Sequence, residues 1–266
     1  DRIEASVWAF GRGKESWLVE HRVLMGDTAR DEVWKSLAEM LAETWTHASG
    51  ASMPLARFAL DTGFATQEAY AFVRACRDSR VMAVKGVPRG AALIGTPTAI
   101  DVSQGGKKLR RGIKVYTVAV SIAKLEFYNN LRKSADVGED GLTTVFPAGF
   151  VHLPKIDAEF IQQLCAEQLI TRRDRNGFPV REWQKMRERN EALDCYVYAR
   201  AAASAAGLDR FEERHWRELE RQLGVAIPPS LETPTESINE ATQRGGLAVS
   251  GNRNTGRRVI KSRWLS

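Results

Sequence analysis

A strand, a helix and a second strand follow one another in the first third of the chain, and this succession constrains the fold most. Leu55–Leu60 is a short apolar run that ends abruptly at Asp61-Thr62-Gly63. Residues 66–78 have the pattern of a helix, and Val81–Val84 is a second short apolar run. Strands that alternate with helices in this order indicate a parallel βαβ unit. The chain is therefore expected to fold as an α/β protein.

Further strands and helices surround this unit. Residues 2–10 and 16–24 are two strand-like runs joined by a turn with two glycines, which predicts a hairpin. Helices are expected over 31–48, 66–78, 124–133, 157–170, 186–206 and 209–223, with a loop over 134–149 and a turn at Asn176-Gly177 before an extended run at 178–183. Residues 88–112 are either a long functional loop or a loose hairpin whose return strand is 113–120.

The charge and the cysteines exclude several classes of protein. The net charge of +6 comes from six basic residues that follow Glu240, so residues 1–240 are formally neutral. Residues 225–266 are rich in Pro, Ser, Thr, Asn and Gly, which predicts a flexible basic tail. No apolar run reaches the ~18 residues of a membrane span. Three scattered cysteines predict neither a disulfide scaffold nor a cysteine metal site, and no phosphate-binding P-loop motif is found.

Asp61 is the first candidate site residue. It follows an apolar strand directly, and ligands of open α/β sheets collect at the carboxyl ends of strands. The alternative is an Asx turn that only closes the strand.

Glu191 and Asp194 are the second candidates. They are three residues apart on the predicted 186–206 helix, so their side chains share a face. The alternative is a pair of surface acids that complement the helix dipole. The apolar, Ala-rich remainder of this helix indicates burial, and an acid on a buried helix needs a partner or a metal. Carboxylates without His or Cys ligands suit Mg²⁺ or Mn²⁺.

A basic run is the third candidate, and between residues 102 and 125 it contains no acid. A loop of this kind can grip the phosphate backbone of DNA, and the alternative is a solvated charge run. His152 has equal claims as a core residue and as a site residue. The basic residues are Lys107, Lys108, Arg110, Arg111, Lys114 and Lys124.

A set of short motifs, in order between residues 1 and about 205, resembles the C-terminal nuclease half of the large terminase subunit of lambda-like tailed phages and prophages. The most specific motif is Asn190-Glu191-Ala192-Leu193-Asp194-Cys195, preceded by Arg189. The others are Asp1-Arg2-Ile3-Glu4, Glu15-Ser16-Trp17-Leu18, Leu60-Asp61-Thr62-Gly63, Val84-Lys85-Gly86, His152-Leu153-Pro154, Gln163-Leu164-Cys165-Ala166-Glu167 and Trp183.

This resemblance implies an RNase H-like fold, in which helices flank a mixed β-sheet and an acidic cluster holds two Mg²⁺ or Mn²⁺ ions. Asp61 matches the family acid after the fourth strand, Asp194 matches the acid on the late helix, and Glu191 is close enough to assist. The family's first catalytic aspartate lies on the central first strand, just before the segment that matches Asp1-Arg2-Ile3-Glu4. The chain begins at this match, so we expect a fragment that lacks its first central strand and the ATPase half.

The resemblance also implies a function and an organisation. Residues 1–207 are expected to form the nuclease domain, 208–224 a charged helix and 225–266 the tail. The expected activity is metal-dependent cutting of concatemeric phage DNA during genome packaging in the host bacterial cytoplasm. The expected partners are double-stranded DNA, the small terminase subunit and the portal protein of the procapsid, and no membrane. Two alternatives remain open: a non-catalytic fragment that binds DNA or the portal, and another RNase H-like nuclease such as a resolvase or transposase.

Overall fold

A computed structural model describes residues 2–104 and 107–225, and the side chains of residues 103–111 are outside this description. The predicted tail lies outside the described residues from position 226 on. No helix in the described ranges is both long enough and apolar enough to cross a membrane.

Short strands and helices alternate along the chain. The strands are β1 Arg2–Phe10, β2 Ser16–Met25, β3 Thr44–Thr46, β4 Ser52–Pro54, β5 Phe58–Asp61, β6 Val81–Val87, β7 Thr98–Gln104, β8 Lys107–Ala119, β9 Asp136–Val137, β10 Thr144–Val145, β11 Val151–His152, β12 Glu167–Arg173 and β13 Pro179–Lys185. The α-helices are α1 Asp31–Met40, α2 Thr66–Cys76, α3 Val120–Leu131, α4 Ala158–Leu164, α5 Glu191–Ala205 and α6 Glu213–Gln222. Short 3-10 helices lie at Arg12–Lys14 and Leu208–Arg210.

The predicted βαβ unit is confirmed, because β5 and β6 are parallel neighbours joined by α2. Strand β8 continues the sheet in parallel with β6, and β7 lies antiparallel on its far side. This pairing gives a four-stranded sheet in the order β5-β6-β8-β7. Of the two predictions for residues 88–120, the hairpin is therefore right. The N-terminal hairpin is confirmed as β1 and β2, and β11 pairs in parallel with β2.

The β1-β2-β11 sheet and the β5-β6-β8-β7 sheet share the same covering helices. On one face, Trp8 of β1 and Met82 of β6 pack in a core with Phe127, Leu164 and Val197 from α3, α4 and α5. Helix α5 contacts both β1 and β5. Among the described strands, β1 pairs only with β2 and β5 pairs only with β6, so one edge of each is unpaired.

The opposite face has a second core that also joins the two sheets. Val7 of β1 and Leu60 of β5 pack there with Leu37 of α1 and Phe72 of α2. Helices therefore cover both faces of both sheets. Helix α5 contacts β1 and β5, the two strands that each have an unpaired edge.

Three predicted helices are shorter in the structure. The helix predicted over 31–48 ends at Met40, because Trp45 pairs with Met53 in the β3–β4 hairpin and donates its indole N–H to Glu20 Oε2 at 2.9 Å. The helix predicted over 157–170 ends at Leu164 and is followed by β12. The helix predicted over 186–206 begins only at Glu191.

Arg200 is a buried cation that ties α5 to its neighbours. Its side chain is 2% exposed, and its guanidinium lies 2.6 Å from Glu126 of α3 and 2.6 Å from Asp209 of the short helix after α5. Removal of one partner from a buried ion pair leaves the other charges uncompensated. Arg200→Ala is therefore expected to lower the free energy of unfolding by about 3 kcal/mol.

Urea denaturation can check this expectation. Arg172→Ala, which removes the exposed partner of Glu182, is the matched control and should leave stability nearly unchanged. An Arg200→Ala variant as stable as the control would contradict the role of Arg200.

Candidate active site

Asp61 is the last residue of β5, and the turn after it is firmly anchored. The backbone N–H and the hydroxyl of the buried Thr62 both donate to the Val84 carbonyl at 2.9 Å. The Gly63 N–H donates to Asp61 Oδ1 at 3.2 Å, so the Asx turn is present. Asp61 nevertheless remains exposed to solvent. The turn orients this carboxylate and leaves it accessible.

Asp194 lies in the first turn of α5 and interacts with the other acids of the site. Burial raises the pKa of Asp194 to about 6, the charge of Lys124 opposes this shift, and the charges of Glu167 and Asp61 add to it. The Lys124 Nζ is 4.0 Å from Asp194 Oδ1. The Asn190 amide donates to Asp194 Oδ2 at 3.2 Å. The fold thus brings Asp61 and Asp194 close enough for their charges to interact.

Tyr198 links the two acids from α5. Burial, followed by the charges of Asp61 and Asp194, raises the pKa of its hydroxyl, and an interaction with the Asp61 carboxylate adds to this rise. The hydroxyl therefore stays protonated and can donate to Asp61. A Cβ atom on Gly86 would lie 2.8 Å from the Tyr198 oxygen, so the absence of a side chain at Gly86 makes room for the hydroxyl.

Glu167 and Lys124 form an ion pair beside Asp194. Both Glu167 carboxylate oxygens lie 2.7 Å from Lys124 Nζ, and Asn190 donates its amide to Glu167 Oε1 at 3.0 Å. The two charged side chains are only 7% and 8% exposed. The sequence pattern groups Lys124 with the basic residues that are expected to bind DNA. Because its ammonium is buried and paired, we place Lys124 in the acidic site instead.

Glu191 makes its contacts elsewhere. Its carboxylate lies 3.2 Å from Arg2 and 3.6 Å from Arg189, and both arginines also bind the buried Glu4. Glu191 is therefore paired with arginines in a network of charged side chains at the start of α5. Assistance to Asp194 by Glu191 stays a prediction.

The basic run lies mainly on β8, and its first part is far from the acids. Tyr116 of β8 pairs with Val84, which pairs with Asp61. Lys107 is nine residues before Tyr116, which corresponds to about 30 Å of strand at ~3.3 Å per residue. The side chains of Lys107, Lys108, Arg110 and Arg111 are outside the described residues, and Lys114 is exposed. The β8 register therefore places the start of this run, Lys107, away from the acidic site, whereas Lys114 is only two residues before Tyr116.

His152 belongs to an aromatic cluster at the start of β2. Its ring stacks on Trp17 with 4.9 Å between centroids and contacts Phe146 and Phe150 edge-on. Its Nε2 is hydrogen-bonded to Glu15. The described contacts of His152 are therefore those of a packed, half-buried side chain.

The carboxylates of the acidic site are the candidate ligands of a divalent cation. In residues 2–104 and 107–225, no group of three or more His, Cys, Asp or Glu side chains is arranged to hold a metal ion. Asp61 and Asp194 provide hard oxygen donors, whereas Glu167 is occupied by Lys124. Carboxylate oxygens of this kind are the ligands that Mg²⁺ and Mn²⁺ prefer. Asp61 and Asp194 alone do not provide the ligands of a two-ion site.

The raised pKa of Asp194 has a consequence for stability. A carboxyl whose pKa is higher in the folded state than its ordinary value of 3.8 binds its proton more tightly when folded, so stability falls as the pH rises from about 4 through about 6. The Asp194→Asn substitution removes the titrating carboxyl and therefore removes this loss of stability at higher pH. Its melting temperature should exceed that of the wild type above pH 7, and the difference should shrink toward pH 4.

Thermal melts between pH 4 and pH 8 can measure this difference. Asp27→Asn is the control, because it removes a carboxylate that lies outside the acidic site, in an exposed turn where it accepts the Ala29 N–H at 2.9 Å. A melting difference for Asp194→Asn that does not vary with pH would contradict the predicted titration of Asp194.

Comparisons with known proteins agree with the motifs. The chain matches the family described as terminase large subunit gpA, endonuclease domain, over residues 1–216. It is 31% identical over 208 residues to the large terminase subunit of Escherichia phage lambda, which covers 76% of this chain and 30% of that relative. It is 29% identical over 205 residues to the large terminase subunit of Enterobacteria phage P21, with the same coverage.

The chain thus spans about 30% of the length of these curated relatives. No solved structure matches it. The family match over most of the chain confirms the relationship that the ordered motifs predicted. The chain belongs to the family of gpA endonuclease domains of the terminase large subunit.

Proposed function

We propose that this chain is a metal-dependent DNA endonuclease domain that cuts concatemeric phage DNA during genome packaging. The observation that carries the proposal is the packing of α5, which holds Asp194 in its first turn, against β5, which ends at Asp61. The nuclease domain would comprise residues 1–207, followed by a charged helix at 208–224 and the tail at 225–266. The family match supports a terminase over a resolvase or transposase.

Each side chain of the acidic site has a distinct task in this proposal. Asp61 and Asp194 would hold Mg²⁺ or Mn²⁺. A bound ion of this type lowers the pKa of an attacking water and stabilises negative charge on the leaving oxygen. Tyr198 would orient Asp61, and Asn190, which donates to Asp194 Oδ2, would orient Asp194. Lys124 neutralises Glu167, so that two acids and one ion pair share the site.

The RNase H-like architecture and a second ion belong to the same proposal. Helix α5 contacts both β1 and β5, and each of these strands has an edge without a strand partner in the described part of the chain. A strand supplied from residues that precede this sequence in a longer protein would pair between them. An acid on that strand would complete the set that two ions need.

The partners and the location follow from the terminase relationship. Both curated relatives are large terminase subunits. We therefore propose double-stranded DNA as the substrate, the small terminase subunit and the portal protein as partners, and the host bacterial cytoplasm as the location. A non-catalytic role in binding DNA or the portal is the alternative, and it predicts that metal and the two acids are dispensable.

Isothermal titration of the full chain with MnCl₂ tests the metal-dependent role without requiring cutting. We expect weak binding to the wild type, because the proposed site offers the ion two carboxylates, Asp61 and Asp194. Asp61→Asn and Asp194→Asn should each lose this binding, and Asp27→Asn should retain it. Equal binding by the wild type and the two site variants would contradict the proposal.

A further inference from the structure

The β12–β13 hairpin is an arm that begins at the acidic site. Glu167 pairs with Lys185 at its root, and Arg173 pairs with Pro179 next to its turn. Six residue steps separate the two pairs, which corresponds to about 20 Å of strand. In the described part of the chain, β12 and β13 pair only with each other. Residues 171–179 are all exposed.

The register divides the arm into two faces of different charge. Side chains alternate along a strand, and directly paired residues share a face. The Glu167–Lys185, Leu169–Trp183, Thr171–Arg181 and Arg173–Pro179 pairs therefore lie on one face, and its apolar Leu169–Trp183 pair belongs to the root, where Trp183 packs on the domain. We call this the basic face, after Lys185, Arg181 and Arg173. The opposite face carries Arg172 and Glu182, which are paired with each other at 2.7 Å.

Two acids of the arm, Asp174 and Glu167, have their described bonds to other groups than the basic side chains of this face. Asp174 lies in the turn, where its Oδ1 accepts the backbone N–H groups of Asn176 and Phe178 at 2.8 Å. Glu167 is held by Lys124. Arg173 donates to the neutral Gly177 carbonyl at 3.0 Å, and its side chain is exposed.

Arg89, from the segment after β6, adds another cation close to this face. Its guanidinium donates to the backbone carbonyl of Arg181 at 2.9 Å, and its side chain is exposed. The arm and this segment thus present several arginines side by side beyond the acidic site.

The root fixes the direction of the arm relative to the acids. Trp183 stacks on Tyr128 of α3 with 5.2 Å between ring centroids. The Glu167 backbone N–H donates to the Tyr128 hydroxyl at 3.3 Å, and Asn190 bridges Glu167 and Asp194. A polyanion that extends from Asp194 along the arm would therefore meet Lys185 first and, beyond the apolar Leu169–Trp183 pair, Arg181 and then Arg173.

We propose that the basic face of this arm binds the phosphate backbone of the DNA that enters the acidic site. This inference rests on the proposed nuclease function and names a contact surface for its substrate. The cations match DNA in charge, and their spacing along a strand suits successive phosphates of a polymer better than one small anion. Phosphate contacts position the duplex without reading its sequence, so the arm supplies affinity and register.

The salt dependence of DNA binding distinguishes phosphate contacts made by this face from a general effect of the net charge of the chain. Each phosphate contact contributes about 0.9 to the slope of log K against log salt concentration. The Arg173→Gln/Arg181→Gln double variant should therefore reduce the slope by about 2 and weaken binding. The Arg172→Gln/Arg175→Gln double variant removes the same charge from the opposite face and the turn of the same arm. It should change the slope clearly less.

Fluorescence anisotropy of a labelled DNA duplex, measured with the full chain without divalent metal over a range of KCl concentrations, provides the data. Circular dichroism and thermal melts should show that both double variants are folded. Equal losses of DNA affinity and salt slope in the two double variants, or no such loss in the basic-face variant, would overturn the arm proposal alone. A wild-type chain that binds no DNA would overturn both this inference and the proposed function.

Discussion

Asp61→Asn and Asp194→Asn should each abolish cutting of plasmid DNA by a version of the protein that is extended upstream of residue 1. Asparagine keeps the shape of aspartate but loses the negative charge that holds a hard cation. The loss in rate should exceed ~100-fold, because even a residue that only supports a metal ligand typically contributes 10- to 100-fold. The wild-type extended protein should cut with Mn²⁺ or Mg²⁺, without ATP and with little sequence preference.

The plasmid assay has two informative comparisons. Asp27→Asn loses a side-chain carboxylate that caps a similar turn outside the site, and it should cut at the wild-type rate. Glu191→Gln tests the predicted assisting acid, whose present partners are Arg2 and Arg189. If Asp61→Asn or Asp194→Asn cuts at the wild-type rate, that residue is only a turn-closing acid or a helix-dipole acid.

Extension of the chain upstream should also make the fold markedly more stable. The edges of β1 and β5 that lack strand partners in the described residues lie where α5 crosses both sheets. A strand of about five residues that pairs on both sides would add several backbone hydrogen bonds, each worth about 1 kcal/mol net. Its apolar side chains would also join the two cores that already connect the sheets.

Thermal melts of the present and the extended chain measure this effect. The extended chain should melt at least ~5 °C higher, since about 1 kcal/mol corresponds to ~2–4 °C for a domain of this size. It should also aggregate less, because unpaired strand edges recruit other chains. Coincident melting curves would show that no strand belongs between β1 and β5.

The local patterns of the sequence predicted much of the fold. The βαβ unit, the N-terminal hairpin and the turn at Asn176-Gly177 are present, and the helix predicted to end at residue 206 ends at Ala205, before Gly207 with a φ of +104°. The helix predicted through Trp45 was wrong because its indole finds a partner in Glu20 on β2. This contact joins residues distant in sequence, and helical periodicity contains no information about it.

The acidic site was predicted only in part. Asp61 and Asp194 were found because each has a recognisable place, after a strand and on an apolar helix. Glu167 was overlooked because it was assigned to a helix that ends at Leu164. The strand-like residues after Glu167 and the turn at Asn176-Gly177 are the signals that would have revealed a hairpin there.

Lys124 was predicted to bind DNA because of its charge, and the side of the helix on which it lies was not considered. Residues 123 and 127 on the same helix are fully buried, and Lys124 points to the same side. Its burial then depends on Glu167, a partner 43 residues away in sequence. A pairing over that distance follows from the fold and not from any local pattern.

Diffraction from a crystal of the extended protein soaked in MnCl₂ would test the central claim most directly. The account predicts an anomalous peak at the carboxyl end of β5, with oxygen atoms of both Asp61 and Asp194 at about 2.1–2.2 Å from the ion. The Tyr198 hydroxyl should still reach the Asp61 carboxylate in that crystal. A peak bound by other residues, or no peak while Asp61 and Asp194 keep only their contacts with Gly63, Tyr198, Lys124 and Asn190, would contradict it.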